Sequence, residues 1–298
     1  MNEDAGQSTG DKSVPPDTYD SRYFFTSCEG YKEFRVSGGR TLGPRFQKAL
    51  QMARIRPGQR VLDIGCGRGE LVIHAALRGA EAVGIDYAEE AVRIAEEALA
   101  GCPLDIDERA SFRVMNARRL DFPDESFDTA IMSDIVEHLY PQELREALDE
   151  THRVLRRGGR LTVHTCPNRL FYDLTYPVYV RNVHRVILRL AEIAHYQSYT
   201  VGPTMLSVGP RFPRTANERE VHVNEQTPAE LKRALTESGF RVGKTVYWEI
   251  PGQWPYVSRR LTIELMILDA LRYLRPLSYA WPLNRVFTNH IWMVAEKR

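Results

Sequence analysis

From residue 42 to residue 167, short apolar runs alternate with longer stretches of helical period. Residues 42–53 predict a helix. Val61, Leu62 and Ile64 form an apolar run with β-branched members, which predicts a buried strand. Residues 70–79 carry a helix pattern closed by Gly79. Residues 82–86 read as a second strand, and the Ala- and Glu-rich residues 88–100 as a helix ending at Gly101. Residues 111–115, 129–133 and 160–167 read as three more strands. A helix over 141–157 precedes the last of them, and Gly158-Gly159 is expected to stop it. Such alternation predicts a doubly wound α/β fold, a parallel sheet with helices on both faces. Farther on, Thr227 is a good N-cap, with Pro228 at the first helical position and Glu230 three residues after the cap. The helix that follows stops at Gly239, and strands over 241–248 and 289–296 complete the pattern.

The pattern fails in three places. Residues 1–18 are polar, rich in Gly, Ser, Asp and Pro, and are expected to be a disordered tail. Tyr19, Tyr23, Phe24, Phe25, Tyr31 and Phe34 then follow in quick succession, a density that needs a surface to cover. Residues 168–221 and 253–287 interrupt the alternation with aromatic residues; the first stretch also holds seven Arg against four acids. Val180, Val183, Ile187, Leu190 and Ala194 fall at helical spacing there, with Arg181, Arg185 and Arg189 on another face. The chain from 19 to 298 is thus expected to be one domain with two insertions.

Bulk properties narrow the choices. A net charge of +1 gives no general attraction to nucleic acid or to anionic membrane. Cys28, Cys66, Cys102 and Cys166 have no paired spacing and read as reduced thiols, which suits a cytoplasmic protein. No run of about 18 uncharged apolar residues is present, so no membrane span is expected.

The chemistry concentrates between Arg60 and Glu70. Gly65, Gly67 and Gly69 stand at alternate positions directly after the first strand, where the backbone can turn sharply and admit a ligand. A dinucleotide fingerprint would need Gly or Ala where Glu70 stands, which argues against a dehydrogenase. Asp63 lies inside the strand ahead of the turn, and a carboxylate there suits a cationic ligand better than a pyrophosphate. Asp86 ends the second strand about twenty residues on, the spacing at which an acid reaches ribose hydroxyls.

The sequence Asp63-x-Gly65-x-Gly67-x-Gly69 resembles the first motif of the class I S-adenosylmethionine (SAM) methyltransferases, and the resemblance runs from Val61 to Pro167. It implies a seven-stranded, mostly parallel sheet of order 3-2-1-4-5-7-6, with the last strand antiparallel and insertions that act as an acceptor lid. It implies a SAM site formed by Asp63, Gly65, Cys66, Gly67, Gly69, Asp86, Tyr87, Asn116, Ala117 and Ser133. Asp86 is assigned to the ribose, and Tyr87 and Asn116 to the adenine. The aromatic N-terminal segment is expected to close over the cofactor. The implied activity is methyl transfer to a small or medium-sized acceptor, with oxygen the expected target atom. An RNA end is the alternative substrate, and a non-catalytic SAM-binding module the alternative role.

Methyl transfer from a sulfonium needs an acceptor held in line and a group to take its proton. Asp134, Glu137 and His138 stand at i, i+3 and i+4 after the fourth strand, so one helical turn would put them on one face. His138, with Asp134, is the expected base. Quinone-type O-methyltransferases and small-RNA 3′-end methyltransferases carry a similar Glu-x-x-Glu-His run. In the latter group a later His, here matched by His222, helps bind a divalent ion. By that resemblance Glu137, His138 and His222 are a candidate site for Mg²⁺ or Mn²⁺. The acceptor and the oligomeric state are not readable from the sequence.

Overall fold

The computed structural model describes residues 13–102, 106, 108–180, 182, 220–247 and 281–298. Its centre is a seven-stranded sheet: β1 Arg60–Ile64, β2 Glu81–Asp86, β3 Ala110–Val114, β4 Phe127–Ser133, β5 Leu155–Thr165, β6 Phe240–Tyr247 and β7 Ile291–Lys297. The order is β3-β2-β1-β4-β5-β7-β6, as the resemblance implied. The first five pair in parallel, and β7 enters antiparallel between β5 and β6.

Alternate side chains of the strands feed two cores. Val61 and Ile131 join α3 (Pro44–Ala53), α4 (Glu70–Ala76) and α5 (Glu89–Ala100) on one face. Leu62, Ile64, Ala130 and Met132 join α6 (Pro141–Val154) and α7 (Pro228–Glu237) on the other. Period-two alternation in strands buried on both sides produces this division. The expected cap of α7 is present: Thr227 Oγ1 accepts from the Glu230 N–H at 3.3 Å, and the Glu230 carboxylate accepts from the Thr227 N–H at 2.9 Å.

Two local expectations fail. The helix expected over 141–157 ends at Val154, and β5 begins at Leu155. Gly158 has φ +71° and lies where the β4–β5 register shifts, between Phe127↔Leu155 and Thr129↔Arg160. The glycine pair therefore bends a strand instead of stopping a helix. At the other end, the segment expected to be a tail is partly folded. Pro16–Thr18 form a 3-10 turn and Val14 is buried. Residues 1–12, the basic helix expected after Val180 and residues 253–280 of the second insertion lie outside the described residues.

The amino-terminal segment folds across the carboxyl ends of β1, β2 and β4. Two short helices, α1 (Ser21–Thr26) and α2 (Tyr31–Ser37), are pinned there by Arg68. Its buried guanidinium donates to the carbonyls of Phe24 and Glu29, both at 2.6 Å, and to the Glu70 carboxylate at 2.7 Å. It also lies 5.0 Å from the centre of the Phe34 ring.

Candidate active site

A cavity of about 710 Å³ opens at the carboxyl edge of the parallel strands, where the sheet order reverses on either side of β1. Asp63, Gly65, Cys66, Gly67, Asp86, Tyr87, Asn116, Ala117, Ser133, Asp134, Glu137, His138 and His222 all line it. Gly69 does not. Its φ is +83°, and a Cβ there would come within 2.6 Å of Phe112 and 2.9 Å of Ala95. Close packing of α4 on the sheet explains that glycine without reference to a ligand. Gly65 is constrained as well: φ is +73°, and a Cβ would lie 2.8 Å from the Ile135 side chain.

One end of the cavity is rich in carboxylates. Asp86 closes β2 with its Oδ2 accepting from the Gly67 N–H and its Oδ1 from the Ala88 N–H, both at 3.0 Å. Burial raises this carboxyl to about 6. Asp63 is 2% exposed, and its Oδ2 has no hydrogen-bond partner among the described residues. Burial, reinforced by Glu70 and Asp86, pushes Asp63 up to about 8. A buried carboxyl without a partner is costly when charged, so this end of the cavity is built for a ligand that brings positive charge. The roof is aromatic: Tyr19, Tyr23 and Phe24 line the cavity, and Tyr87 Oη donates to the Val14 carbonyl at 2.9 Å.

The other end gathers histidines. After β4 the chain passes Asp134 in a left-handed conformation, φ +58°, and then makes a 3-10 turn over Val136–His138. One helical face shared by Asp134, Glu137 and His138 is therefore not formed. Asp134 turns away into an ion pair with Arg45 at 2.8 Å and lies 2.9 Å from His164 Nδ1. These two partners overcome burial and hold its carboxyl far below the usual range. Glu137, His138 and His222 do converge, each offering a ligand atom within 4.8 Å of the others. Glu137 accepts from Thr165 Oγ1 at 2.7 Å, and burial next to Asp134 raises it to about 7. The His138 ring meets Tyr19 Oη at 2.9 Å through Nδ1 and hydrogen bonds to the Val221 backbone. Burial, with His222 beside it, lowers His138 to about 3.

Residues 61–159 match the family model described as a methyltransferase domain. This part of the chain, about a third of it, is a methyltransferase domain of the class I SAM-dependent type. Over 113 residues it is 35% identical to the 27-O-demethylrifamycin SV methyltransferase of Amycolatopsis mediterranei, covering 38% of this chain and 40% of that protein. Over 109 residues it is 34% identical to the mitochondrial ubiquinone biosynthesis O-methyltransferase of Rattus norvegicus, covering 36% of this chain and 31% of that one. The matches thus span well under half of these relatives. Among solved structures, a geranyl diphosphate methyltransferase in complex with SAM aligns with a TM-score of 0.52 at 16% identity, over 96% of each chain, a likeness of fold. No helix among the described residues is long and apolar enough to cross a membrane.

Several residues that line this cavity were not marked as site residues by the sequence. Arg45, Arg68, Glu70, Cys166 and His290 line it, and His164 sits behind His290. Arg68 occupies a variable position of the glycine motif and Glu70 directly follows it, so both are placed by the turn. Arg45, Cys166 and His290 come from elements 121 to 245 residues apart and meet only on folding.

Proposed function

We propose that this chain transfers the methyl group of SAM to an oxygen atom of a small or medium-sized acceptor. One observation carries the reading: a single cavity joins the carboxylate end, at Asp63 and Asp86, to the histidine end, at Glu137, His138 and His222. Asp63, unpartnered and buried, offers its charge to the ligand's ammonium group. Asp86 faces the ribose diol, with Gly67 and Ala88 fixing its orientation, and Tyr87 and Asn116 flank the adenine. The sulfonium supplies the methyl group and leaves as a neutral thioether. The chain's own task is then to hold the acceptor in line and receive its proton. Oxygen is favoured because the far wall is lined with proton acceptors, and because the two relatives named above, one of them an O-methyltransferase by name, match 38% and 36% of this chain. The test is calorimetry with SAM and with NAD, followed by radiolabelled methyl transfer to a panel of hydroxyl compounds; tight NAD binding with none for SAM would refute it.

A second reading rests on the convergence of Glu137, His138 and His222. Two imidazoles and one carboxylate fit Mn²⁺ or a later divalent metal better than Mg²⁺. Asp134 does not join them, because Arg45 and His164 occupy it. A metal held there would act as a Lewis acid on the acceptor oxygen. Chelation followed by metal addition separates the two readings.

A further inference from the structure

The charge that lines the cavity is unbalanced. Among the described residues, seven Asp or Glu line it, against two Arg and no Lys. Both arginines are already engaged by acids. Arg68 gives its guanidinium to Glu70 at 2.7 Å and to two backbone carbonyls. Arg45, on α3, stands between two carboxylates: its Nη1 lies 2.8 Å from Asp134 Oδ1, and its Nη2 lies 3.4 Å from Glu29 Oε2. None of these three side chains is more than 23% exposed, so water screens the trio only partly. Two carboxylates on one guanidinium leave it net negative. Glu137 adds a further acid at the histidine end, where it accepts from Thr165 Oγ1 at 2.7 Å and from the Cys166 N–H at 3.4 Å.

Protonation of the buried acids does not restore the balance. Burial raises Asp63 to about 8 and Glu137 to about 7, yet with both neutral five carboxylates still face two guanidiniums. Arg118, outside the cavity, reaches one of the five, Glu143, at 3.7 Å. SAM itself adds one net positive charge, from a sulfonium and an ammonium against one carboxylate. A second ligand thus enters a space that is already negative. An anionic group on it would be buried beside Glu29 and Asp134, and like charges brought together out of water repel strongly. Its own desolvation would go unmatched, because the arginine that could face it is already held by two acids. A neutral hydroxyl compound meets neither cost, and an ammonium group finds acids at hand.

We propose that the acceptor is an uncharged or amine-bearing hydroxyl compound, and that the Glu29–Arg45–Asp134 trio excludes carboxylate- and phosphate-bearing ones by withholding the arginine. The inference deepens the methyltransferase reading above and rests on it. Glu29 is the member of the trio that can be altered most cleanly. Its backbone carbonyl, not its side chain, accepts from Arg68 at 2.6 Å, so Glu29→Gln keeps that bond and removes only the charge facing Arg45. Asp134, by contrast, also lies 2.9 Å from His164 and 3.3 Å from the Ser133 hydroxyl, so its replacement would disturb the end of β4.

Three probes that share one reacting diol test this on the full chain: catechol, which is neutral, dopamine, which is cationic, and 3,4-dihydroxybenzoate, which is anionic. The assays run at about pH 8, above the ordinary range of histidine, and with chelator present, so that neither imidazolium nor a divalent ion adds positive charge. The kcat/KM for catechol and for dopamine should exceed that for 3,4-dihydroxybenzoate by about 10–50-fold, and Glu29→Gln should narrow the gap several-fold. Calorimetry of the three probes with the demethylated cofactor bound should give the same order of affinity without any turnover. Equal treatment of the probes, preference for the anion, binding of none of them, or a gap that Glu29→Gln leaves unchanged overturns the proposal. If the probes bind in the expected order but none is methylated, the methyltransferase reading fails at its acceptor and the charge selection stands. If all three are methylated equally well, that reading stands and the proposal falls.

Discussion

With Asp63 in the proposed role, the binding of SAM should be a proton-linked event. Burial and the neighbouring Glu70 and Asp86 raise its carboxyl from 3.8 to about 8, so the ligand-free protein holds a proton there at neutral pH. A ligand ammonium favours the ionised form, so binding must expel that proton. Between pH 7.5 and pH 5.5 the expulsion grows harder by about 1.4 kcal/mol per pH unit, or roughly 3 kcal/mol in all, and SAM affinity should fall about 100-fold. Asp86, raised to about 6, steepens the slope at the acid end. Titration calorimetry in two buffers of different ionisation heat measures both Kd and the protons released; about one proton should leave at pH 6.5. Asp63→Asn should bind SAM weakly and with a flatter slope. A Kd that stays constant across this range, or an unchanged slope in Asp63→Asn, would refute the reasoning. The same shift affects stability with a definite sign. A carboxyl raised on folding favours the folded state at pH below its unfolded value of 3.8, and that contribution is lost as pH rises through about 8. The ligand-free protein should therefore melt at lower temperature at pH 8 than at pH 6, and SAM should narrow the gap.

Asp86→Ala should weaken SAM binding by about 1–3 kcal/mol, because the Gly67 and Ala88 N–H groups lose their acceptor; calorimetry checks it. Exhaustive chelation should leave methyl transfer intact; loss of turnover that Mn²⁺ restores in the wild type but not in His222→Ala would favour the metal reading. Gly69→Ala should destabilise the fold by about 1–3 kcal/mol in denaturant titration, since its φ is +83° and Phe112 lies 2.6 Å from the new Cβ. Arg68→Met should speed hydrogen exchange at residues 21–30, because the carbonyls of Phe24 and Glu29 lose their donor.

The sequence by itself determined the strands and helices of the sheet and the glycine turn that borders the cavity. Both depend on short-range signals. Apolar runs of period two mark strands, and the turn after β1 needs glycine at Gly65 for a backbone reason that holds within a few residues. Asp63 and Asp86 sit at strand positions whose direction is set once the strand is recognised. The tertiary structure alone decided the histidine end. Spacing suggested one face for Asp134, Glu137 and His138, yet a left-handed residue at Asp134 turns its carboxylate toward Arg45 and His164, partners 89 and 30 residues away. Glu137, His138 and His222 did converge as expected, but only because the chain returns from the first insertion beside β4. His290 and His164 could not have been paired in advance. They stand 126 residues apart and meet because β7 lies antiparallel against β5. Gly158 teaches the same lesson on a smaller scale: a glycine pair after a helix pattern reads as a stop, and strand register made it a bend. Local sterics and periodicity are written in neighbouring residues, whereas ion pairs and buried hydrogen-bond chains depend on which distant elements the sheet order brings together.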